Sequence, residues 1–428
     1  MTAGWTTVAD LRFGNAPVSP PAPGFDPAGD ARALFPAGMP SPARDPIAGS
    51  QLFASLGPGQ RYIVRVPARW NGDLAVCGTP ATRSEHANDA ILSDFLLARG
   101  YAFAASNKGV PYNAVVEPVA PGGSELAYPV PFPLGDAPPG TLAIRFGALV
   151  PQRVGVEAWN RDLAHLVVAA KDAVHALRGR RPRRTYALGL SIGGGQVRTL
   201  LERHPELVDG GLEWAAVYWS PDENILTYLP AFLSQMPAYV ASGYRDRAAH
   251  AAIVAAGFPP DRLQDSNTFP SLWDAHYAKL APFYADLTTF AFARLIDSAA
   301  GSLDSLAARA AYVPSAAARQ AIAAFAHTGA LERPLIGIAG DADVFITPQH
   351  NADPYLAAVR AAGRGDRYWQ YLVADGTHVD AYAAFGWGLR PQLPFVWAAF
   401  DRLVALVADG VRPPGAGTVR RVSAPDEI

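Results

Sequence analysis

The stretch Tyr186-Ala-Leu-Gly-Leu-Ser-Ile-Gly-Gly-Gly-Gln196 constrains the fold more than any other part of this chain. A short apolar run ends in Gly189-Leu190-Ser191-Ile192-Gly193, and Val197 to His204 follow with a helical pattern. This is strand, tight turn, helix. The Gly-x-Ser-x-Gly spacing has a mechanical reason there: the serine must occupy a strained turn, so its flanking positions lack a Cβ where strand and helix backbones nearly touch. The hydroxyl is then held over the end of a sheet, and the first free N–H groups of the helix point at whatever it attacks. Ser191 is therefore read as a nucleophile. The bare motif arises readily by chance among 39 glycines. Its context carries the weight, because an acid and then a histidine follow it at the ends of later strands.

The flanking segments predict an α/β architecture. Arg61 to Val66 alternates as a strand, Asn71-Gly72 reads as a turn, and Asp73 to Cys77 reads as a second strand, which together predict a hairpin. Residues 87–99 have helical periodicity closed by Gly100, Tyr101 to Ser106 is a buried strand, and Asn160 to Leu177 is an amphipathic helix ending before Gly179. Strands 184–190, 212–219 and 334–339 follow. Continuously apolar strands separated by helices imply a mostly parallel central sheet covered on both faces. The expected organisation is a Pro/Gly-rich arm over 1–46, a core in two parts over 47–220 and 331–412, a helical cap over 221–330, and a tail over 413–428.

The cap segment is helical in pattern, is broken by prolines including Pro230 and Pro237, and is dense in aromatic residues. Most of these aromatics are expected to form the core of a small subdomain; a few would line a pocket beneath a lid. Tyr218, Trp219, Tyr228 and Trp273 are the expected substrate-binding side chains. A second excursion, 110–150, is rich in Pro and Gly and is a candidate wall of the same cleft.

The acid is sought in Gly340-Asp341-Ala342-Asp343, at the end of strand 334–339, where a parallel sheet keeps its chemistry. Asp343 is preferred; Asp341 and Asp222, the latter after strand 212–219, remain alternatives. Of nine histidines, His378 falls late, after the acid, on a strand-to-loop junction with Gly376 beside it. His350 is its rival. Asp380 is read as a loop hydrogen-bonding residue.

Composition excludes several classes. A formal net charge of -2 and a pI of 6.5 leave no basic footprint for nucleic acid. No apolar run approaches the roughly 20 residues that span a bilayer. Cys77, the single cysteine, excludes an intrachain disulfide and a cysteine metal cluster, and is expected to be buried and inert. Met1 to Phe13 shows no signal-peptide pattern, so the compartment stays open with the cytoplasm favoured. The richness in Ala, Arg, Pro and Gly suggests a bacterial source. No metal or organic cofactor is called for.

The elbow Gly189 to Gly193, the strand-end Gly340-x-x-Asp343 and the late Gly376-Thr377-His378 resemble the α/β-hydrolase superfamily over residues 61–408. Val66 to Gly72 and Gly100 to Asn107 are similar to phrases in bacterial esterase-like members. The resemblance implies a triad of Ser191 as nucleophile, His378 as base and then acid, and Asp343 orienting the imidazole. It also implies an oxyanion hole from the backbone N–H groups of Ile192 and Thr79. Many members carry His-Gly where this chain has Cys77-Gly78-Thr79; the glycine that allows close approach is kept. The expected activity is cleavage of small or oligomeric carboxylic esters. An O-acyltransferase, faintly resembled by Gly193-Gly194 and His378-x-Asp380, an amidase or peptidase, and a non-catalytic binding protein are the alternatives.

Overall fold

The computed structural model describes residues 4–19, 31, 34–36, 38–57, 59–81, 83–109, 116–119, 127–129, 143–146, 155–279, 284–303 and 305–428. Its centre is a ten-stranded sheet. In chain order the strands are β1 (Trp5–Val8), β2 (Gly49–Gly57), β3 (Gln60–Pro67), β4 (Leu74–Gly78), β5 (Ala102–Ser106), then β6 (Val116–Val119), β7 (Ala127–Pro129) and β8 (Ala143–Phe146) in a small separate sheet, and β9 (Thr185–Leu190), β10 (Gly210–Trp214), β11 (Leu335–Gly340), β12 (Tyr368–Val373) and β13 (Val419–Val422). The spatial order is β1-β2-β3-β5-β4-β9-β10-β11-β12-β13. From β5 onward every neighbour runs parallel; β1, β2 and β3 continue the sheet antiparallel.

The central strands β4, β5, β9, β10 and β11 are buried on both sides, and their alternation sorts side chains between two cores. Ala75 and Cys77 of β4, Phe103 of β5 and Tyr186, Leu188 and Leu190 of β9 face one core. Leu74 and Val76, Ala102 and Ala104, and Ala187 face the other. Helix α1 (Asp94–Ala98) and α10 (Leu393–Asp409) cover the first face through Phe95, Phe395, Phe400 and Leu403. Helices α2 (Val156–Arg178), α3 (Ile192–Arg203) and α9 (Pro348–Ala361) cover the second. Gly179, placed by the sequence just after the helix, ends α2 at φ 69° as a left-handed cap.

Several expectations are corrected. The predicted hairpin of β3 with β4 does not form, because β5 lies between them: β3 pairs antiparallel with β5, and β4 pairs parallel with β5 and β9. Asn71-Gly72 turns the chain out of β3, with Asn71 N–H donating to Gly100 O and Gly72 O accepting from Arg183 N–H. The hairpin is instead β2–β3. Within 413–428, expected as a tail, β13 pairs with β12 and buries Val422 and Ile428. Within 1–46, β1 extends the other edge of the sheet.

Between β10 and β11 lie α4 (Ile225–Ala241), α5 (Arg247–Ala255), α6 (Tyr284–Ile296), α7 (Leu306–Ala310) and α8 (Ala316–Ala323). Pro230 and Pro237 do not break α4; they lie inside one continuous helix. Its start is fixed by a capping box between Asn224 and Thr227, and its burial through Leu226, Leu229, Phe232, Leu233 and Met236 outweighs the hydrogen bonds that proline removes. These helices share an aromatic core with Ile192, Trp219 and Phe345 of the sheet's carboxyl edge. Within 110–150, only the short antiparallel strands Val116–Val119, Ala127–Pro129 and Ala143–Phe146 are described. The predicted cleft wall otherwise lies outside the described residues. No helix among the described residues is long and apolar enough to cross a membrane.

Candidate active site

Strands β4, β9, β11 and β12 are parallel, so the residues just after them emerge along one edge of the sheet. Thr79, Ser191, Asp343 and His378 all do so.

Ser191 sits between β9 and α3 at φ 60°, ψ −119°, a conformation that costs a non-glycine residue about 1–3 kcal/mol. Its backbone is held from three sides: its N–H donates to Trp214 O at 2.8 Å, and its carbonyl accepts from Gly195 and Val217 N–H, both at 3.1 Å. Three glycines make the crossing possible. A Cβ on Gly78 would stand 2.5 Å from Gly193 O, and one on Gly189 would overlap the same carbonyl. A Cβ on Gly193 would stand 2.5 Å from the Gly78 carbonyl carbon and 3.0 Å from Thr79 N. The strand preceding Thr79 is thus pressed against the first turn of α3, whose N–H groups, Ile192 foremost, have no partner within the helix. The Thr79 loop is fixed in turn: Thr79 Oγ1 donates to Ser106 O, buried Lys108 Nζ donates to Thr79 O at 2.6 Å, and Asn88 Nδ2 donates to Gly78 O at 3.2 Å. Cys77, immediately before, is buried, and burial pushes its thiol well up, so it stays protonated.

Asp343 is fully buried. Its Oδ1 accepts from the N–H groups of Phe345 and Ile346 at 2.8 and 2.9 Å, and its Oδ2 is 2.8 Å from His378 Nδ1. A carboxylate on Nδ1 draws the proton there and leaves the Nε2 lone pair for proton abstraction. The two loops are drawn together by Gly340, where a Cβ would overlap the Gly376 backbone, and by Ala342 N–H donating to Gly376 O at 3.0 Å. Behind His378, Gln392 Nε2 donates to Thr377 O, and Asp380 accepts from the N–H groups of Gln392 and Leu393, both at 2.7 Å. Burial pushes the Asp380 carboxyl up to about 7.

The alternatives are engaged elsewhere. Asp341 accepts from Asp375 N–H and pairs with Arg421. Asp222 is exposed and pairs with Arg319. His350 bonds Glu223 and the Ala256 carbonyl and stacks 4.5 Å from Tyr228.

The four expected pocket aromatics are all buried in packed surroundings. Tyr218 lies in the core under α2, α3 and α9, against Tyr355 and His327. Trp219 packs on Phe292 and Phe325. Trp273 is stacked on His250 and donates to Pro259 O. Tyr228 donates to Phe345 O at 3.3 Å and accepts from Asn351 Nδ2 at 3.2 Å, so it braces the Asp343 loop from beneath. Sequence reasoning missed the side chains beside His378: Phe345, whose ring centroid is 5.3 Å from the imidazole, and behind it Tyr382 and His276. Phe345 carried a signal, being two residues from the favoured acid; the other two carried none. Among the described residues no group of three His, Cys, Asp or Glu side chains is placed to hold a metal ion.

No family model matches the sequence, and no curated protein matches it. Solved structures do. Feruloyl esterase B from Aspergillus oryzae is similar at a TM-score of 0.55 and 15% identity, over 89% of this chain and 86% of that one. An esterase from the same organism is similar at a TM-score of 0.52 and 12% identity, over 96% and 86%. With the parallel sheet, the strained turn after β9 and the order of the strand-end residues, these likenesses identify the architecture: the chain has the α/β-hydrolase fold.

Proposed function

We propose that this protein is a serine hydrolase of carboxylic esters acting through an acyl-enzyme on Ser191. The observation that carries the reading is the Asp343–His378 hydrogen bond at the same sheet edge as a serine in a left-handed turn. Strain retained at one buried polar residue is what a nucleophile elbow requires.

In the proposed mechanism His378 Nε2 takes the Ser191 proton while Oγ bonds to the ester carbonyl carbon. The carbonyl oxygen becomes an oxyanion, held by the N–H groups of Ile192 and Thr79 at about 3 kcal/mol each in the transition state. His378 returns the proton to the departing alkoxide, and the alcohol leaves. A water then gives a proton to His378 and adds to the acyl carbon; collapse returns the proton to Ser191 and releases the acid. Asp343, fixed by two backbone N–H groups, holds the imidazole in the required tautomer and balances its charge when protonated. The helices between β10 and β11 would act as a cap that helps to hold the ester over Ser191.

The test is hydrolysis of nitrophenyl esters of rising chain length by wild type and Ser191→Ala, repeated with matched anilides and with added alcohol acceptors. Ester hydrolysis abolished in the variant supports the reading. Transfer to the alcohol in preference to water would make it an acyltransferase, and anilide cleavage at a comparable rate an amidase.

A further inference from the structure

The cap brings a second imidazole to the aromatic cluster around His378. His276 lies on the wide turn Ala275–Lys279, where the helix opens to i→i+5 hydrogen bonding, a distortion frequent at functional sites. Its Nδ1 is 2.8 Å from Leu272 O, which can only accept, so the proton is on Nδ1 and the lone pair is on Nε2. Nε2 is buried and meets no donor among the described residues. Native proteins retain few such groups, because a buried acceptor without a donor is unfavourable. The ring stands nearly perpendicular to Phe345 and Tyr382, with centroids at 4.3 and 5.0 Å. Phe345 also packs against His378, with ring centroids 5.3 Å apart, and donates its backbone N–H to Asp343. The two imidazoles therefore contact the same phenyl ring, one from the cap and one from the sheet edge. Burial pushes His276 down to about 4, so at neutral pH it is an uncharged acceptor, neither a cation nor an effective base.

We propose that His276 determines substrate specificity: its Nε2 accepts a hydrogen bond from a hydroxyl group of the bound ester, so the protein favours hydroxy-esters over their deoxy counterparts. The inference rests on the reading of Ser191, His378 and Asp343 as the hydrolytic machinery. Its chemistry is specific. The lone pair needs a compact neutral donor; a carboxylate or ketone at that position offers no proton. A deoxy ester bound in the same pose leaves Nε2 unmatched, which is the situation in which buried polar groups discriminate most strongly.

The experiment measures kcat/KM by pH-stat for two matched sets. Methyl butanoate against methyl 2- and 3-hydroxybutanoate places the hydroxyl on the acid; ethyl butanoate against 2-hydroxyethyl butanoate places it on the alcohol. Wild type should favour the hydroxylated member of one set by about tenfold or more. His276→Phe should bring that ratio to within about twofold of unity, with the loss falling on the hydroxylated member chiefly through KM. His276→Gln, whose amide oxygen keeps an acceptor, should retain an intermediate ratio, and it decides the matter if the Phe variant does not fold. A wild type with no hydroxyl preference in either set, or a preference unchanged in the variants, overturns the proposal. Fluorophosphonate labelling of the same proteins separates the two layers: a labelled wild type without discrimination removes only the role of His276, whereas an unlabelled wild type removes the hydrolase reading itself.

Discussion

Gly193→Ala puts the packing of the elbow to a quantitative test. The added methyl would stand 2.5 Å from the Gly78 carbonyl carbon and 3.0 Å from Thr79 N, and every atom it meets there is backbone. No rotamer change can relieve it. To restore ordinary contact, which begins at 3.4 Å, β4 and α3 must part by about 1 Å in an interior packed like a crystal. Overpacking of this kind costs about 3 kcal/mol, the upper end of the usual range, because strand and helix are pinned by their own hydrogen bonds. The same movement carries Thr79 N–H away from Ile192 N–H, and a misplacement of about 1 Å is worth on the order of 100-fold in rate. The expected result is a urea midpoint lowered in proportion to about 3 kcal/mol, with ester kcat reduced on the order of 100-fold in the protein that remains folded. Gly301→Ala, where a Cβ meets nothing within 4 Å, is the control and should change neither quantity. A Gly193→Ala protein with wild-type midpoint and with kcat within about twofold of wild type would refute the reasoning.

Four further outcomes follow from the same structure. Asp343→Asn keeps the shape but favours the wrong tautomer of His378, so kcat for esters should fall about 10⁴-fold with KM little changed, as steady-state kinetics would show. Arg198 and Glu213 form a buried bidentate pair to which Tyr368 adds a hydroxyl; Glu213→Gln leaves the guanidinium uncompensated and should cost about 3–5 kcal/mol in urea unfolding. Arg319→Ala, which removes an exposed pair with Asp222, should cost under about 1 kcal/mol. His327 accepts from Trp219 N–H and donates to Gly195 O, and burial pushes it down to about 3. The unfolded histidine takes up a proton near 6.5 that the folded one refuses, so this contribution is complete above pH 6.5 and is lost as pH falls toward 3. His327→Gln should therefore lose less stability, relative to wild type, at pH 5 than at pH 7.5. A cost that grows on acidification would contradict the assignment.

The most legible parts of the sequence were those where local chemistry admits few answers. The elbow is one: glycine at 189 and 193 around a serine, after an apolar run and before a helix, has a single compact solution. The end of α2 at Gly179 is another. The β3–β4 hairpin failed because Asn71-Gly72 reports only that the chain turns, whereas the partner of each strand is decided by a later segment, β5, inserted between them. The edge strands β1 and β13, and β2 beside β1, escaped notice because half-exposed strands lack the continuous apolar run that marked the central ones. Proline in α4 misled because burial of one helical face outweighed local preference. At the site, Asp341 and Asp343 share one loop; only the fold turns one toward His378 and the other toward Asp375 and Arg421. Aromatic density between β10 and β11 said that a core was present, and no periodicity could distinguish its walls from its filling.

The central claim is that Ser191 is a nucleophile activated by His378. The most direct measurement is reaction with a fluorophosphonate, followed by intact mass and peptide mapping, on wild type, Ser191→Ala and His378→Ala. A single adduct on the peptide containing Ser191, absent in the first variant and slowed by orders of magnitude in the second, is the predicted result. A wild type that stays unlabelled, or an adduct that persists in Ser191→Ala, would contradict it.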